Sequence, residues 1–153
     1  MGIYNDILYC LHVLRTWQLA ITTTDTGATN LPYRDKVGIP NHRAYVPTGR
    51  GIYYVDDANS NDTQLRLLTL QQLTSLVIPT SVSKRTVKGI ILGVDLSNYR
   101  FDQTAMVEWG DYIVVACRRQ NSAANDRVLL YNQKSGAISW HDYFVSCFAV
   151  YNG

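Results

Sequence analysis

The sequence predicts an all-β protein made of antiparallel hairpins with little helix, and three observations carry that expectation. Of the twelve acidic residues only Glu108 is a glutamate, whereas eleven tyrosines and abundant Thr, Val and Asn favour strands and turns over helices. Apolar, β-branched and aromatic runs of roughly five to eight residues recur along the chain. Between them stand turn-forming stretches such as Gly49-Arg50-Gly51, Gly110-Asp111 and the Asn152-Gly153 ending.

The elements follow in order. Ile3, Ile7, Leu11 and Leu14 keep helical spacing, but Leu11, Val13, Trp17, Leu19 and Ile21 keep strand alternation. Thr-rich sequence then opposes a helix, which favours two strands at 7–14 and 16–24, with a helix over 3–15 as the alternative. The stretch 27–40, with two prolines and two glycines, reads as a long connection. RAYVPTGRGIYYVDD reads as a hairpin, and LRLLTL as the strand that pairs back across the polar loop DDANSND. Residues 71–83 read as a short turn of helix or a loop, GIILGV (89–94) as a buried strand, and SNYRFDQ (97–103) as a polar crossing. TAMVEW and YIVVACRR form one hairpin, RVLLYN and AISWHD another, and FVSCFAVY begins a further one. Such strands describe a sandwich or a propeller. The plan of GRGIYYVDD…QLRLLTL returns in WGDYIVVACRR…DRVLLYNQKSGAISW about 60 residues later, a weak internal repeat.

Bulk properties exclude several classes. At 153 residues and 46% apolar content the chain is long enough for one domain with a real core. A net charge of +2 is too balanced to imply nucleic acid or an anionic membrane through bulk electrostatics. The N-terminal residues lack the pattern of a secretion signal, position 6 is Asp where a myristoylation signal needs Ser or Thr, and no apolar run is long enough to span a bilayer. Cys117 and Cys147 sit in apolar runs and read as small buried hydrophobes, with Cys10 the third cysteine and a reducing compartment expected.

The segment NDRVLLYNQKSGAISWHDYFVSCFAVYNG resembles the β-propeller proteins of tailed-phage virions, found at the head-to-tail junction or at the tail hub and nozzle. Arg127 to Tyr131 stands where that family has a strand of the type N-R-V-L-V-Y. Gly136 to Trp140 and Phe148 to Gly153 stand where it has G-A-W-S and an apolar strand ending in Y-N-G. A second match runs from Val37-Gly38-Ile39-Pro40 through Gly49 to Val55. The resemblance implies a single β domain over 1–153 that is a partial propeller of about two to three blades. On this reading residues 1–24 are an incomplete first blade, 38–94 a second blade with its crossing, and 104–153 a third blade with the start of a fourth. It further implies a strand following Asn152-Gly153, supplied by a longer polypeptide or by a second chain.

The function implied is structural: a virion component of the tail or head-to-tail connector, non-enzymatic and without cofactor. It would be assembled in the host cytoplasm as a homo-oligomeric ring with other virion proteins around the DNA passage. The alternative is a propeller-type carbohydrate-binding or glycan-hydrolysing protein. Lys84, Arg85, Lys88, Arg118 and Arg119 are the candidates for DNA contact, because phosphate contacts need no sequence code. Solvated loop charge is the plainer reading of these groups. Asp57, Asn59, Asn61 and Asp62 alternate as calcium ligands do, but Asp62 and Leu68 stand where an EF-hand loop needs Gly and Glu, so an ordinary hairpin loop is expected. Cys10 with His12 supplies two ligands where zinc needs three or four, and His42 is isolated. Ser139, His141 and Asp142 lie on one short stretch that alternates faces and does not define a triad.

Overall fold

The computed structural model describes residues 2–4, 7–11, 15–20, 29–35, 38–57, 62–69, 80–87, 90–93 and 96–150. Every regular element among them is a strand, all strand pairs are antiparallel, and none of these residues is helical. Strands β1 (Gly2–Tyr4), β2 (Ile7–Leu11), β3 (Arg15–Ala20) and β4 (Thr29–Asp35) form a first four-stranded sheet in chain order. A second sheet, also in chain order, holds β5 (Tyr45–Thr48), β6 (Gly51–Asp56), β7 (Gln64–Leu68) and β8 (Thr80–Ser81). Strands β9 (Lys84–Val87) and β10 (Ile90–Gly93) pair as a separate hairpin. The third four-stranded sheet is β11 (Tyr99–Trp109), β12 (Tyr112–Arg119), β13 (Arg127–Asn132) and β14 (Ile138–His141).

Several expectations are corrected. The first sheet has four strands and reaches Asp35, past residue 24, because β4 occupies part of the presumed connection 27–40. Its Pro32 is tolerated because β4 is an edge strand and Pro32 pairs with Trp17 at a register shift between Thr16 and Trp17. The helical alternative over 3–15 gives way to β1, β2 and β3. Thr80 and Ser81, read as loop or helix, form β8, while 71–79 lie outside the described residues. The presumed crossing 97–103 contains the start of β11, whose register shifts between Arg100 and Ala105. Asp102 within it is satisfied by the neighbouring strand, accepting two hydrogen bonds from Arg118 at 3.0 Å each. The stretch Asp142–Val150, including most of FVSCFAVY, is not a strand.

The core lies between the second and third sheets. Pairs Ile113↔Tyr131 and Val115↔Leu129 place four apolar side chains on one face of the third sheet, where they join Ile52, Tyr53, Leu65, Leu68 and Phe101 in one buried cluster. The Tyr53 and Tyr131 rings meet 5.9 Å apart across the two sheets, a tilted pair of the kind that adds to plain area burial. Tyr99 stacks on Trp140 at 4.5 Å. Every residue of β6 is buried, so the second sheet is covered on both sides. The sheets also meet along their first strands: β5 runs beside β11 and beside β1, which also reaches β6. Among the described residues the sheets are not closed into a ring.

Gly51 shows how local sequence serves this packing. Its φ of 145° lies in a region that glycine tolerates and L side chains rarely adopt. Thr48 Oγ1 donates to Gly51 O at 3.0 Å, and Arg50 N–H donates to Thr48 Oγ1 at 3.1 Å, which closes the β5–β6 turn.

Candidate interaction surface

Period-two geometry gives the third sheet a second face. Pairs Val107↔Val114, Val114↔Leu130 and Ala116↔Val128 put apolar residues opposite the side that packs on the second sheet. Val107, Val114, Val128 and Leu130 of this face, with Trp109, His141, Tyr143, Phe148, Ala149 and Val150, line an apolar groove of about 530 Å³. The large apolar side chains that stand exposed among the described residues are Trp109, Tyr112, Tyr143, Phe144 and Val150. All of them belong to this sheet or to the segment lying over it. Trp109 is 63% exposed, Tyr143 62% and Phe144 84%. Such concentration in one place marks an interaction site more than scattered surface residues do.

The segment Asp142–Val150 is held lightly. Asp142 Oδ1 accepts from Arg119 at 2.6 Å and from Arg127 at 2.9 Å, and the His141 and Tyr143 rings stack 6.0 Å apart. Val145 N–H donates to Asn125 O at 3.1 Å, and Arg43 Nη1 donates to Ser146 O at 3.3 Å. Among the described residues the Val145–Asn125 bond is the segment's one backbone–backbone hydrogen bond. Its alternating apolar sequence therefore lacks the ladder that would make it a strand. A second cavity, of about 390 Å³, lies between Arg43, Gln103, Asn125 and Phe144.

A polar cluster ties the second and third sheets at their turn ends. Arg50, on the β5–β6 turn, donates to the Gln133 carbonyl across the gap. Gln133 N–H donates to Asp111 O at 2.8 Å and Gln133 Nε2 to Glu108 Oε1 at 2.9 Å. Burial raises the hydroxyl pKa of Tyr53 and of Tyr131, the nearness of the two hydroxyls adds to the rise at Tyr53 because both resist ionising together, and Arg50 opposes it. The arrangement fastens one sheet to the other.

The residues singled out from the sequence are dispersed. Lys84 binds Asp62 at 3.1 Å, Arg118 binds Asp102, and Arg119 binds Asp126 at 3.5 Å and Asp142. Arg85 sits on β9 opposite Leu92, on a hairpin separate from Arg118 and Arg119 on β12, and Lys88 lies outside the described residues. Lys84, Arg118 and Arg119 are thus already committed to carboxylates. Asp57 accepts from Thr63 at 2.6 Å and Asp62 from Gln64 at 2.6 Å, so these acids serve their own loop; Asn59 and Asn61 lie outside the described residues. His12 does too, and His42 is exposed. Ser139 Oγ approaches His141 Nε2 at 3.4 Å, but Asp142 turns to the arginines and leaves that histidine unoriented by a carboxylate. Among the described residues no three His, Cys, Asp or Glu side chains gather as metal ligands, and no helix is long and apolar enough to cross a membrane.

Cys117 is buried in the core, and burial pushes its thiol up to about 12. Cys147, expected to be buried, is exposed because its segment lies outside the sheet. The outer groove had a signal in the sequence: YIVVAC and RVLLY are continuous apolar runs, and such strands need cover on both faces. In comparisons with known proteins, no family model and no curated sequence matches this chain.

Proposed function

We propose that this protein is a structural, non-enzymatic scaffold of a tailed-phage virion, built as part of a β-propeller whose sheets stack on one another and on neighbouring tail or connector proteins. The observation that carries the reading is the succession of three four-stranded antiparallel sheets among the described residues, each in chain order, with their first strands side by side and an apolar groove on the outer side of the third. Propeller blades have this plan. The virion setting draws its support from the resemblance of Arg127–Tyr131, Gly136–Trp140 and Phe148–Gly153 to phage propeller strands.

Two of the acids are held in the ionised form, which does not suit them to the general-acid part of a hydrolase. Asp62 is held below the usual carboxylate range, first by its hydrogen bond from Gln64 and then by Lys84, and Asp102 is held there by Arg118. A general acid for glycoside cleavage needs the opposite shift. The glycan-binding reading draws on the cavity beside Arg43, where the exposed Phe144 ring could stack on a sugar.

The test is the protein content of particles. Virions purified from a phage whose genome encodes this chain contain its peptides by mass spectrometry, and antibodies against it label the tail or the connector in electron micrographs. Particles free of the chain refute the virion role, and retention of the purified chain on a polysaccharide column favours the glycan reading.

A further inference from the structure

We infer that the cavity beside Arg43 is a binding site for a carboxylate-bearing sugar residue, one that holds its ligand and does not cleave it. The inference rests on the glycan reading above and names its ligand class; it stands whether or not the chain belongs to a virion. The cavity, of about 390 Å³, has the size of a small-molecule cleft. Its lining brings together a guanidinium, two side-chain amides and an aromatic ring, from Arg43, Gln103, Asn125 and Phe144.

Arg43 supplies the charge. Arg66, Lys84, Arg118, Arg119, Arg127 and Lys134 each pair with a carboxylate. Arg43 instead donates from Nη1 to the Ser146 carbonyl at 3.3 Å and pairs with no acid among the described residues. A guanidinium with donors to spare takes a planar carboxylate in two parallel hydrogen bonds. No Asp or Glu among the described residues lines the cavity, so nothing in its wall competes for Arg43. For the same reason the site lacks the pair of carboxyl groups that glycoside cleavage uses.

Asn125 supplies an independent observation. It is only 4% exposed; its Nδ2 donates to Gln103 O at 2.8 Å, and its Oδ1 is buried with no donor among the described residues. Such an acceptor favours a ligand that brings a hydroxyl, which a sugar has and a simple carboxylate lacks. The rim beside it, Phe144–Ser146, is joined to its surroundings by Val145 N–H on Asn125 O at 3.1 Å and by the Arg43 bond, so it yields locally as a hydroxyl reaches Oδ1. The Phe144 ring, 84% exposed, presents a flat face against which the C–H side of a pyranose packs. Gln103, also exposed, adds an amide that both donates and accepts.

The test is a titration of the isotope-labelled chain, followed by its amide chemical shifts, with methyl glucuronide, its neutral counterpart methyl glucoside, and acetate. The glucuronide is expected to move the signals of Gln103, Asn125 and Phe144–Ser146 saturably, with a Kd about tenfold below that of the glucoside, the worth of one charge-assisted contact. Acetate, which has the carboxylate without the ring or its hydroxyls, is expected to bind more weakly than the glucuronide. Arg43→Gln is expected to abolish the preference for the glucuronide, and Phe144→Ala to weaken both glycosides. Both substitutions fall on exposed side chains and are expected to leave the core signals in place. No response to the glucuronide, equal responses to the two glycosides, or a preference that survives in folded Arg43→Gln overturns the inference. So does acetate binding as tightly as the glucuronide. Binding of both glycosides alike sinks this ligand and leaves the glycan reading standing, whereas silence toward both, with no retention on a polysaccharide column, sinks the two together.

Discussion

Replacing Gly51 with alanine is the sharpest probe of how the second sheet is built. A Cβ placed there lies 2.2 Å from the carbonyl oxygen of Leu68 and 3.1 Å from both its carbonyl carbon and Leu67 Cδ1. The first of these is backbone of the neighbouring strand and cannot rotate away. The residue is also fixed at φ 145°, where a side chain adds about 1–3 kcal/mol of strain. Overpacking a buried site costs about 1–3 kcal/mol more. The sum, roughly 4 kcal/mol, is a large share of the 5–15 kcal/mol by which a domain is ordinarily stable. With a urea slope of about 2 kcal/mol/M, the midpoint of unfolding falls by about 2 M. Gly49→Ala on the same turn is the control, because a Cβ there meets nothing within 4 Å, and its effect stays within about 0.5 kcal/mol. A Gly51→Ala midpoint within about 0.5 M of wild type would refute the close approach of β6 to β7 and the backbone strain assigned to this position.

Two further outcomes follow from buried groups. Asp56 and Arg66 meet at 2.6 Å with side chains only 6% and 14% exposed, and Asp56 also accepts from Gly38 N–H at 3.3 Å. Asp56→Ala strips a buried guanidinium of that carboxylate and is expected to cost about 3–5 kcal/mol, a fall of roughly 10 °C in Tm by calorimetry. Asp142→Ala, at an exposed ion pair, is expected to cost about 1 kcal/mol or less, and equal effects from the two variants refute the distinction. In a variant that keeps Cys117 alone (Cys10→Ser, Cys147→Ser), a thiol reagent at pH 8 is expected to label nothing until denaturant is added, since the thiol is buried and titrates near 12. Rapid labelling of the native protein contradicts that placement.

The hairpins were legible where turn chemistry and alternation agreed. Gly49-Arg50, Gly110-Asp111 and the QKSG turn each flank clear strands, and β5–β6, β11–β12 and β13–β14 form around them. Strand β4 was hidden by Pro32, which turn statistics read as a break but which an edge position beside a register shift accommodates. The first half of β11 was hidden by its polarity, which Arg118 and Asp102 satisfy across the ladder. FVSCFAVY failed in the other direction: its alternation is that of a strand, yet a strand needs a ladder partner, and the sequence of one chain does not display one. The outer groove was foreshadowed by two-sided apolar runs. The inter-sheet cluster of Arg50, Glu108 and Gln133 was not, because its members come from three separate turns or strand ends and carry no local motif.

Each four-stranded sheet is drawn from one uninterrupted stretch of chain, with neighbours in sequence pairing as neighbours in space. Loop-closure entropy for every pair is correspondingly small. A ribosome releasing the chain from its N-terminus delivers all four strands of one sheet before the next sheet begins, so assembly can proceed in the order of synthesis. The sheet is thereby also the natural unit of gain or loss: adding or deleting one whole meander lengthens or shortens the stack without rethreading any strand.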